Sequence, residues 1–578
     1  MATPTEDKSV SALVRVADAQ GLTREQASGG AERAAGIPDV ADAGERRPRQ
    51  WVRWLTWLAW PIGLIEAAIV LFVCYLHVSR TEAVSSDGAS NALQAWDMLH
   101  GNLLLHGWTL TDVSFYTTEL PEYMIVEAIR GLHADVLHVS AAVTYTLLVL
   151  TGGLLARGRA KGRDGVVRFL IAAGIMVAPQ LGPGGFILIF QPDHTGTQVP
   201  LLATWLVIDR APRRWRWYVP VVVAVLLAWV EVADRLVVLI GVVPLAAVCA
   251  VRVYQAVVQR RERLRSVWFE LSLIVAAGAS LEISSIVLKR LSGHGGFVVL
   301  PVANSLAPVS QMSAHLWLMI ESISGLYGAD LFGMNSLGLN AGIALLHLVG
   351  LAVAVWALVL VLRRFFRCDD LIAQVLAAGI LINLFAYLLS TTPTTYWSAR
   401  EIAFVLPAGA VLAGRMLAGR FRVARLVPAM AVFLACYVAA LGYTVAQPSV
   451  PAISQDLADW LTAHHLTYGL SSYGLGNATT LASGGAVDLR PTNWYNADVG
   501  AGPYEYNQDW YNPLKHDANF IVLMNPPQPL DPIATWEVRD RFGPPAQIYD
   551  VGKYVIMVYN TNLLTDFSPS LPNQPASP

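Results

Sequence analysis

RTEAVSSDGASNALQAWDMLHGNLLLHGWTLTDVSFYTTELPEYMIVEAIRGLHAD, residues 80–135, separates the first two long apolar runs of this chain. At about 55 residues it is far longer than a connection between neighbouring helices needs. It is polar and aromatic, and carries Asp87, Asp97, Asp112, Glu119 and Glu122. On either side the chain stays apolar for about 20 residues at a time, the length that crosses roughly 30 Å of hydrocarbon as an α-helix. An irregular segment of this size belongs outside the hydrocarbon, where its backbone groups can be hydrogen-bonded.

Outward from that loop the same alternation continues. With 54% hydrophobic and 14% charged residues, the composition excludes an ordinary soluble domain. Apolar runs fall near 55–77, 136–156, 169–189, 196–208, 218–232, 236–254, 268–288, 341–362, 371–390, 400–414 and 427–446, about eleven in all. The runs 196–208 and 218–232 are short for a span and must tilt or be sheltered by neighbours. A net charge of −2 hides a segregation of sign. Arg157, Arg159, Lys161, Arg163 and Arg168 fill one loop; Arg210, Arg213, Arg214 and Arg216 another; Arg260, Arg261, Arg263 and Arg265 a third. Arg363, Arg364 and Arg367, then Arg415, Arg420, Arg422 and Arg425, complete the series. All five loops fall on the side of the amino terminus, so the positive-inside bias predicts a multi-pass plasma-membrane protein, N-terminus inside and C-terminus outside. Cys74, Cys249, Cys368 and Cys436 imply no disulfide framework.

The fold expected is therefore a polytopic α-helical membrane protein with a small exterior α/β domain. Residues 1–50 read as a disordered cytoplasmic tail without a signal peptide, 51–446 as the membrane module with exterior loop 78–135, 447–565 as the exterior domain, and 566–578 as a disordered Pro/Ser tail. In the exterior domain Gln455–His465 suits a helix, and Thr467–Tyr473, Phe520–Met524 and Tyr554–Tyr559 suit strands. Other outward regions are the Gln191–Thr197 turn and the Lys289–Asn340 stretch.

Candidate functional residues gather in the outward segments. Asp87 precedes Ala89, Leu93, Trp96 and Leu99, whose spacing describes a short amphipathic interfacial helix with Trp96 and Trp108 as anchors. Asp87 either presents a carboxylate there or caps the helix. Asp97 and Glu119 are further loop carboxylates. In Gln191-Pro192-Asp193-His194-Thr195-Gly196-Thr197, Asp193 and His194 either bind substrate or form a capping turn. Glu231-Val232-Ala233-Asp234-Arg235 sets charge beside apolar sequence, where it faces a cavity or pairs internally. Arg400, in Tyr396-Trp397-Ser398-Ala399-Arg400-Glu401, has no positive-inside reason to be there; a planar guanidinium suits a phosphate, though an ion pair with Glu401 also explains it. The aromatics Trp494, Tyr495, Tyr504, Tyr506, Trp510 and Tyr511 suit either sugar stacking or a core. No phosphate-binding glycine loop, zinc spacing or nucleophile elbow is present.

A long first exterior loop with an Asp soon after the first span resembles the integral-membrane C-type glycosyltransferases. The continuation Ala92–Met98, Gly101-Asn102, Gly107-Trp108 and Ser114-Phe115-Tyr116-Thr117-Thr118-Glu119 resembles large actinobacterial membrane proteins of that type. The usual acidic pair after the first span is absent, since Gly88 follows Asp87. The resemblance implies an inverting transfer of sugar from a polyprenyl-phosphate donor to an envelope acceptor (glycan, lipid or protein), with Asp87 as general base. It implies a lipid-phosphate contact for Arg400, and substrate- or lipid-phosphate-binding roles for Asp193, His194, Asp234, Arg235 and Glu119. No metal ligand set is assigned; metal use varies within the superfamily, which leaves a divalent metal open. Nucleic acid is not an expected partner. A transporter or lipid flippase, and a non-catalytic scaffold for envelope assembly, are the alternative readings; ionisable residues at outer helix ends rather than mid-span argue against the former.

Overall fold

The computed structural model describes residues 50–190, 194–212, 216–300, 305–332, 338–419, 427–452, 454–495, 498–528 and 533–567. The predicted tails, residues 1–49 and 568–578, and the candidate Asp193 lie outside the described residues. The chain divides into two compact units, Met1–Ala59 and Trp60–Pro578. In the first, residues 50–59 are helical and open the first long helix, α1 (Gln50–Ser79). The second holds everything below.

Among the described residues seven helices are long and apolar enough to cross a membrane. They include the Ala59–Ser79 part of α1, Asp135–Arg157 and Leu339–Arg363, and two shorter apolar helices, Tyr218–Ala233 and Val405–Leu417, accompany them. Apolar side chains such as Ile65, Ile69, Val275 and Val355 remain exposed on the helices, as a surface solvated by acyl chains requires. The buried faces instead use small residues. Gly414 lies against the Arg168 carbonyl, and Gly409 against the Tyr327 hydroxyl, so that backbones approach closely.

Most helix boundaries follow the apolar runs within a few residues, with two exceptions. The run expected at 169–189 is broken: a helix Gly162–Met176 ends, and a short turn precedes the helical segment Pro183–Phe190. Pro179, Gly182 and Pro183 explain the break, because proline removes a backbone donor and clashes with the preceding turn. The stretch 289–340 is not simply a polar loop. It contains the helix Met312–Leu326, packed against Leu371–Leu389 and the segment Tyr396–Ile402, with Leu316, Trp317 and Ile320 exposed along an apolar face.

Hydrogen bonds fasten the helix connections at two ends of the bundle. At one end Ser114 N and Phe115 N both donate to the Ala233 carbonyl, fastening the first loop to the end of Tyr218–Ala233. At the other, Arg415 reaches Asp209, Asp370 and the Leu155 carbonyl.

The C-terminal β-containing domain sits on the first end. Its six-stranded sheet has the order β5-β4-β3-β7-β9-β8. The strands are β3 (Tyr468–Ser471), β4 (Asp488–Tyr495), β5 (Asp498–Ala501), β7 (Phe520–Met524), β8 (Gln547–Val551) and β9 (Tyr554–Val558). β3 is parallel to both β4 and β7, while the outer pairings are antiparallel. A second, three-stranded sheet stitches the domain to the loop. β1 (Trp108–Leu110) pairs parallel with β2 (Val298–Val299) and antiparallel with β6 (Tyr506–Asn507), in the register Trp108↔Asn507 and Thr109↔Tyr506.

Candidate functional site

The first-loop helix α2 spans Ser86–Leu99, and Ser85 caps it by accepting from Gly88 N. Asp87 is therefore one turn-position inside the helix and is not its cap. The polar side of this helix is packed inside the protein. Ser90, Asn91 and Gln94 are all buried, because α2 is covered by α3 (Glu119–Arg130) and by the C-terminal-domain helix Tyr473–Ala482. Trp108 is no interfacial anchor either: it is buried edge-on against Trp510, and its indole N–H donates to Asp97 at 2.7 Å. Asp97 also accepts from Asn102, so its role is structural.

Asp87 meets the C-terminal domain. Tyr473 Oη lies 2.6 Å from Asp87 Oδ1 and 2.6 Å from Glu505 Oε2. Burial first, then the charges of Asp87 and Glu505, hold the Tyr473 phenol well above its ordinary value, so it stays protonated. Tyr504 lies 4.7 Å from Tyr473 between ring centroids. Burial and the two carboxylates raise its phenol, and Arg400 opposes them.

Arg400 lies in the segment Tyr396–Ile402, with Nε 3.8 Å from Glu401 Oε1. Glu401 in turn faces His194 Nε2 at 3.7 Å, and His194 Nδ1 is 2.7 Å from Asp234 Oδ2. His194 holds a left-handed φ of 57° at the N-cap of the helix Thr195–Arg210. Burial alone would push this imidazole down; the charges of Asp234 and Glu401 and their hydrogen bonds outweigh it and hold it well above the ordinary value. Burial likewise opposes ionisation of Asp234 and Glu401, yet His194 keeps both below the usual carboxylate range. Asp234 further accepts from Leu236 N at 2.8 Å and lies 3.1 Å from Thr197 Oγ1. The pairing is therefore Asp234 with His194, not Asp234 with Arg235. Arg235 is exposed and lines a cavity of about 190 Å³ with Asp112, Ser114 and Phe297. Asp112 links that cavity to the cluster: burial and Glu401 raise its carboxyl, while His194 and Arg400 oppose the rise.

Glu119 stands at the start of α3, against Gly196, where an added Cβ would come within 2.4 Å of Glu119 Oε1. Thr118 donates to Oε2, and Oε1 has no hydrogen-bond partner among the described residues. Burial pushes its carboxyl up to about 8, the Thr118 bond opposing and Asp234 adding to the rise. Glu231, by contrast, is held by Ser280 and Ser284 and takes no part in this cluster.

Among the described residues no group of three or more His, Cys, Asp or Glu side chains is placed to hold a metal ion. Both ring nitrogens of His194 already face carboxylates, so a cation there would have to displace one. The arrangement instead offers a base candidate, a guanidinium and a buried ion pair at one end of the bundle.

Asp112, Glu401, Tyr473 and Glu505 were not among the residues expected to act. Asp112 was read only as one of the first-loop carboxylates, and Glu401 only as the ion-pair neighbour of Arg400. Tyr473 and Glu505 carry no local signal; only the tertiary fold brings them to Asp87.

No family model matches the sequence and no curated protein does. Similarity appears in solved structures. ArnT from Cupriavidus metallidurans, bound to undecaprenyl phosphate, aligns over 89% of this chain and 99% of its own, with a TM-score of 0.51 and 14% identity. The Archaeoglobus fulgidus oligosaccharyltransferase, complexed with zinc and sulfate, aligns over 79% of this chain and 68% of its own with a TM-score of 0.44 and 14% identity. The chain thus has the polytopic helical fold of ArnT, with a β-containing C-terminal domain, in keeping with the resemblance of its first loop to the C-type glycosyltransferases.

Proposed function

We propose that this protein is an inverting membrane glycosyltransferase that moves a sugar from a polyprenyl-phosphate donor to an envelope acceptor. The observation that supports the reading is the contact of Asp87 with Tyr473, where the first loop meets the C-terminal domain, in a chain with the fold of ArnT. In this reading that end of the bundle is extracytoplasmic, and the arginine-rich end is cytoplasmic, as the positive-inside bias favours.

The chemistry follows from the groups present. Asp87 takes the proton of the acceptor hydroxyl as the acceptor oxygen bonds to the anomeric carbon. The anomeric C–O bond to phosphate breaks with its electron pair going to the phosphate oxygen. Arg400, partly exposed, contacts the lipid phosphate and stabilises the charge that develops on it. The buried His194–Asp234 pair and Glu401 fix the Arg400 segment, since Asn383 also donates to the Glu401 carbonyl at 3.0 Å. Arg235 and Asp112 line the adjoining cavity and suit polar substrate groups.

The test is transfer from labelled polyprenyl-phosphate sugars in membranes overexpressing this chain, wild type beside D87N. Transfer by the wild type that disappears in a stably inserted D87N supports both enzyme and base. Equal transfer by the two removes Asp87 from the chemistry, and absence of transfer from every donor of a broad panel overturns the reading.

A further inference from the structure

Asp87 meets the C-terminal domain at the Tyr473 phenol. Tyr473 Oη is 2.6 Å from a carboxylate oxygen of Asp87 and 2.6 Å from one of Glu505. A phenol has one proton and donates to one acceptor at a time. Two ionised carboxylates at those distances would leave one contact without a hydrogen. With one proton held between the carboxylates both contacts become hydrogen bonds: the phenol donates to one, and the protonated carboxyl donates to the phenol oxygen. Tyr473 itself stays protonated, as burial and the two acidic neighbours require.

Three further features hold the cluster in place. Asn477 Nδ2 lies 2.7 Å from Ser90 Oγ on α2 and 3.2 Å from the Glu505 carbonyl, tying helix to loop. Ser86 Oγ donates to the Gly474 carbonyl at 2.8 Å. Glu505 is buried, adopts a φ of 52° that side-chain-bearing residues rarely hold, and immediately precedes β6, whose Tyr506 is in register with Thr109 of the first loop. Such a backbone persists where the surroundings dictate it.

We propose that Tyr473 and Glu505 are positioning residues for Asp87: the two carboxylates share one proton through the Tyr473 hydroxyl, so that the C-terminal domain completes the reacting site. The inference rests on the transferase reading for its kinetic consequence and on geometry alone for its physical one. Glu505, when it carries the proton, leaves Asp87 as the carboxylate that accepts, with its orientation fixed by the phenol.

Two measurements on the purified full-length protein test it. In steady-state transfer, Y473F and E505Q each lower kcat about 10- to 100-fold with the KM for donor within about twofold. The Y473F/E505Q double variant is no slower than the slower single one, as expected of residues that act as a unit. Unchanged kcat in both single variants, a loss confined to KM, or losses that multiply overturns the proposal. The second measurement needs no activity: a thermal-unfolding cycle of D87N and E505Q, with and without Y473F. The effects are non-additive when Tyr473 is present and additive when Y473F is combined with them. Additivity in both backgrounds overturns the shared proton. A non-additive cycle in a protein that transfers no lipid-linked sugar sustains the coupled pair and removes the transferase reading. Transfer that depends on Asp87 yet ignores Y473F and E505Q sustains the reading and removes the pair.

Discussion

His194 Nδ1 lies 2.7 Å from Asp234 Oδ2, with the two side chains 4% and 1% exposed. A pair so completely withdrawn from water is held by mutual charge, and removing one partner leaves the other uncompensated. D234N is therefore expected to destabilise the folded protein by about 3 kcal/mol near neutral pH. The pH window follows from the two directions. Asp234 is held below its ordinary value of 3.8, so its contribution is present above that value and is lost as pH falls through the lower folded value. His194 is held above its ordinary value of 6.5, so its contribution is complete below 6.5 and is lost as pH rises through the higher folded value. Thermal unfolding of the wild type should thus show a plateau from mildly acidic to beyond neutral pH that D234N abolishes. A D234N deficit that stays constant to strongly alkaline pH would contradict the assignment.

Glu119 makes the opposite prediction. Its carboxyl is pushed up by burial to about 8 from an ordinary 4.5, so the unfolded chain ionises more readily than the folded one. Stability falls as pH climbs from about 4.5 to about 8 and then levels, a loss on the order of 4 kcal/mol if this group acted alone. E119Q cannot ionise and should flatten that part of the profile, making the variant more stable than the wild type at pH about 8 and above. Unfolding midpoints of the two proteins measured across that range check it; parallel profiles would refute it.

The membrane helices were legible because hydrocarbon imposes one rule on every span, and apolar length reads directly from sequence. Phe520–Met524 was legible for a similar reason, since a strand buried on both faces is a continuous apolar run. β4 was not: Arg490 and Pro491 interrupt it, and its burial depends on β3 and β5 on either side. β8 escaped notice because it is an edge strand with Gln547 and Asp550 exposed. At the candidate site, Asp87 and Arg400 stood out as charges at helix ends. Their surroundings did not, because Tyr473 joins Asp87 across 386 residues and nothing in either local sequence encodes that contact. Asp234 drew attention for its charge, yet its adjacent Arg235 proved a misleading partner: the turn points the two side chains apart and the buried imidazole of His194 takes the place expected for the guanidinium.

Arg400 separates a binding role from a structural one. Its Nε sits 3.8 Å from Glu401 Oε1, beyond hydrogen-bond distance, and its side chain is partly exposed. R400A is expected to raise the KM for a polyprenyl-phosphate donor about tenfold or more, and R400K to recover only part of it, because an ammonium lacks the bidentate geometry. Donor-concentration series on the three proteins test this. A fall in thermal stability without a change in KM would assign Arg400 to the Glu401 ion pair instead.

Arg415 lies at the far end of the bundle and is only 6% exposed. It was counted in sequence among the arginines that mark a loop, but its guanidinium is spent inside the protein. Nη2 donates to Asp209 Oδ1 at 2.6 Å and Asp370 Oδ1 at 2.9 Å, Nε to Asp370 Oδ2 at 2.8 Å, and Nη1 to the Leu155 carbonyl at 2.7 Å. Four hydrogen bonds from one planar group join the ends of Asp135–Arg157, Thr195–Arg210, Leu371–Leu389 and Val405–Leu417. R415A leaves two carboxylates without their cation, Asp209 nearly buried and Asp370 27% exposed, and should cost about 3 kcal/mol. R415K should recover less than half of that, since one ammonium cannot span the same partners. Adding D209N and D370N to R415A should restore stability in part, because the uncompensated charges are then gone. Unfolding midpoints of the four proteins decide the matter, and transfer per folded molecule should be equal in all of them, the network being at the end opposite Asp87. An R415A variant as stable as the wild type would show that the helix ends are held by packing alone.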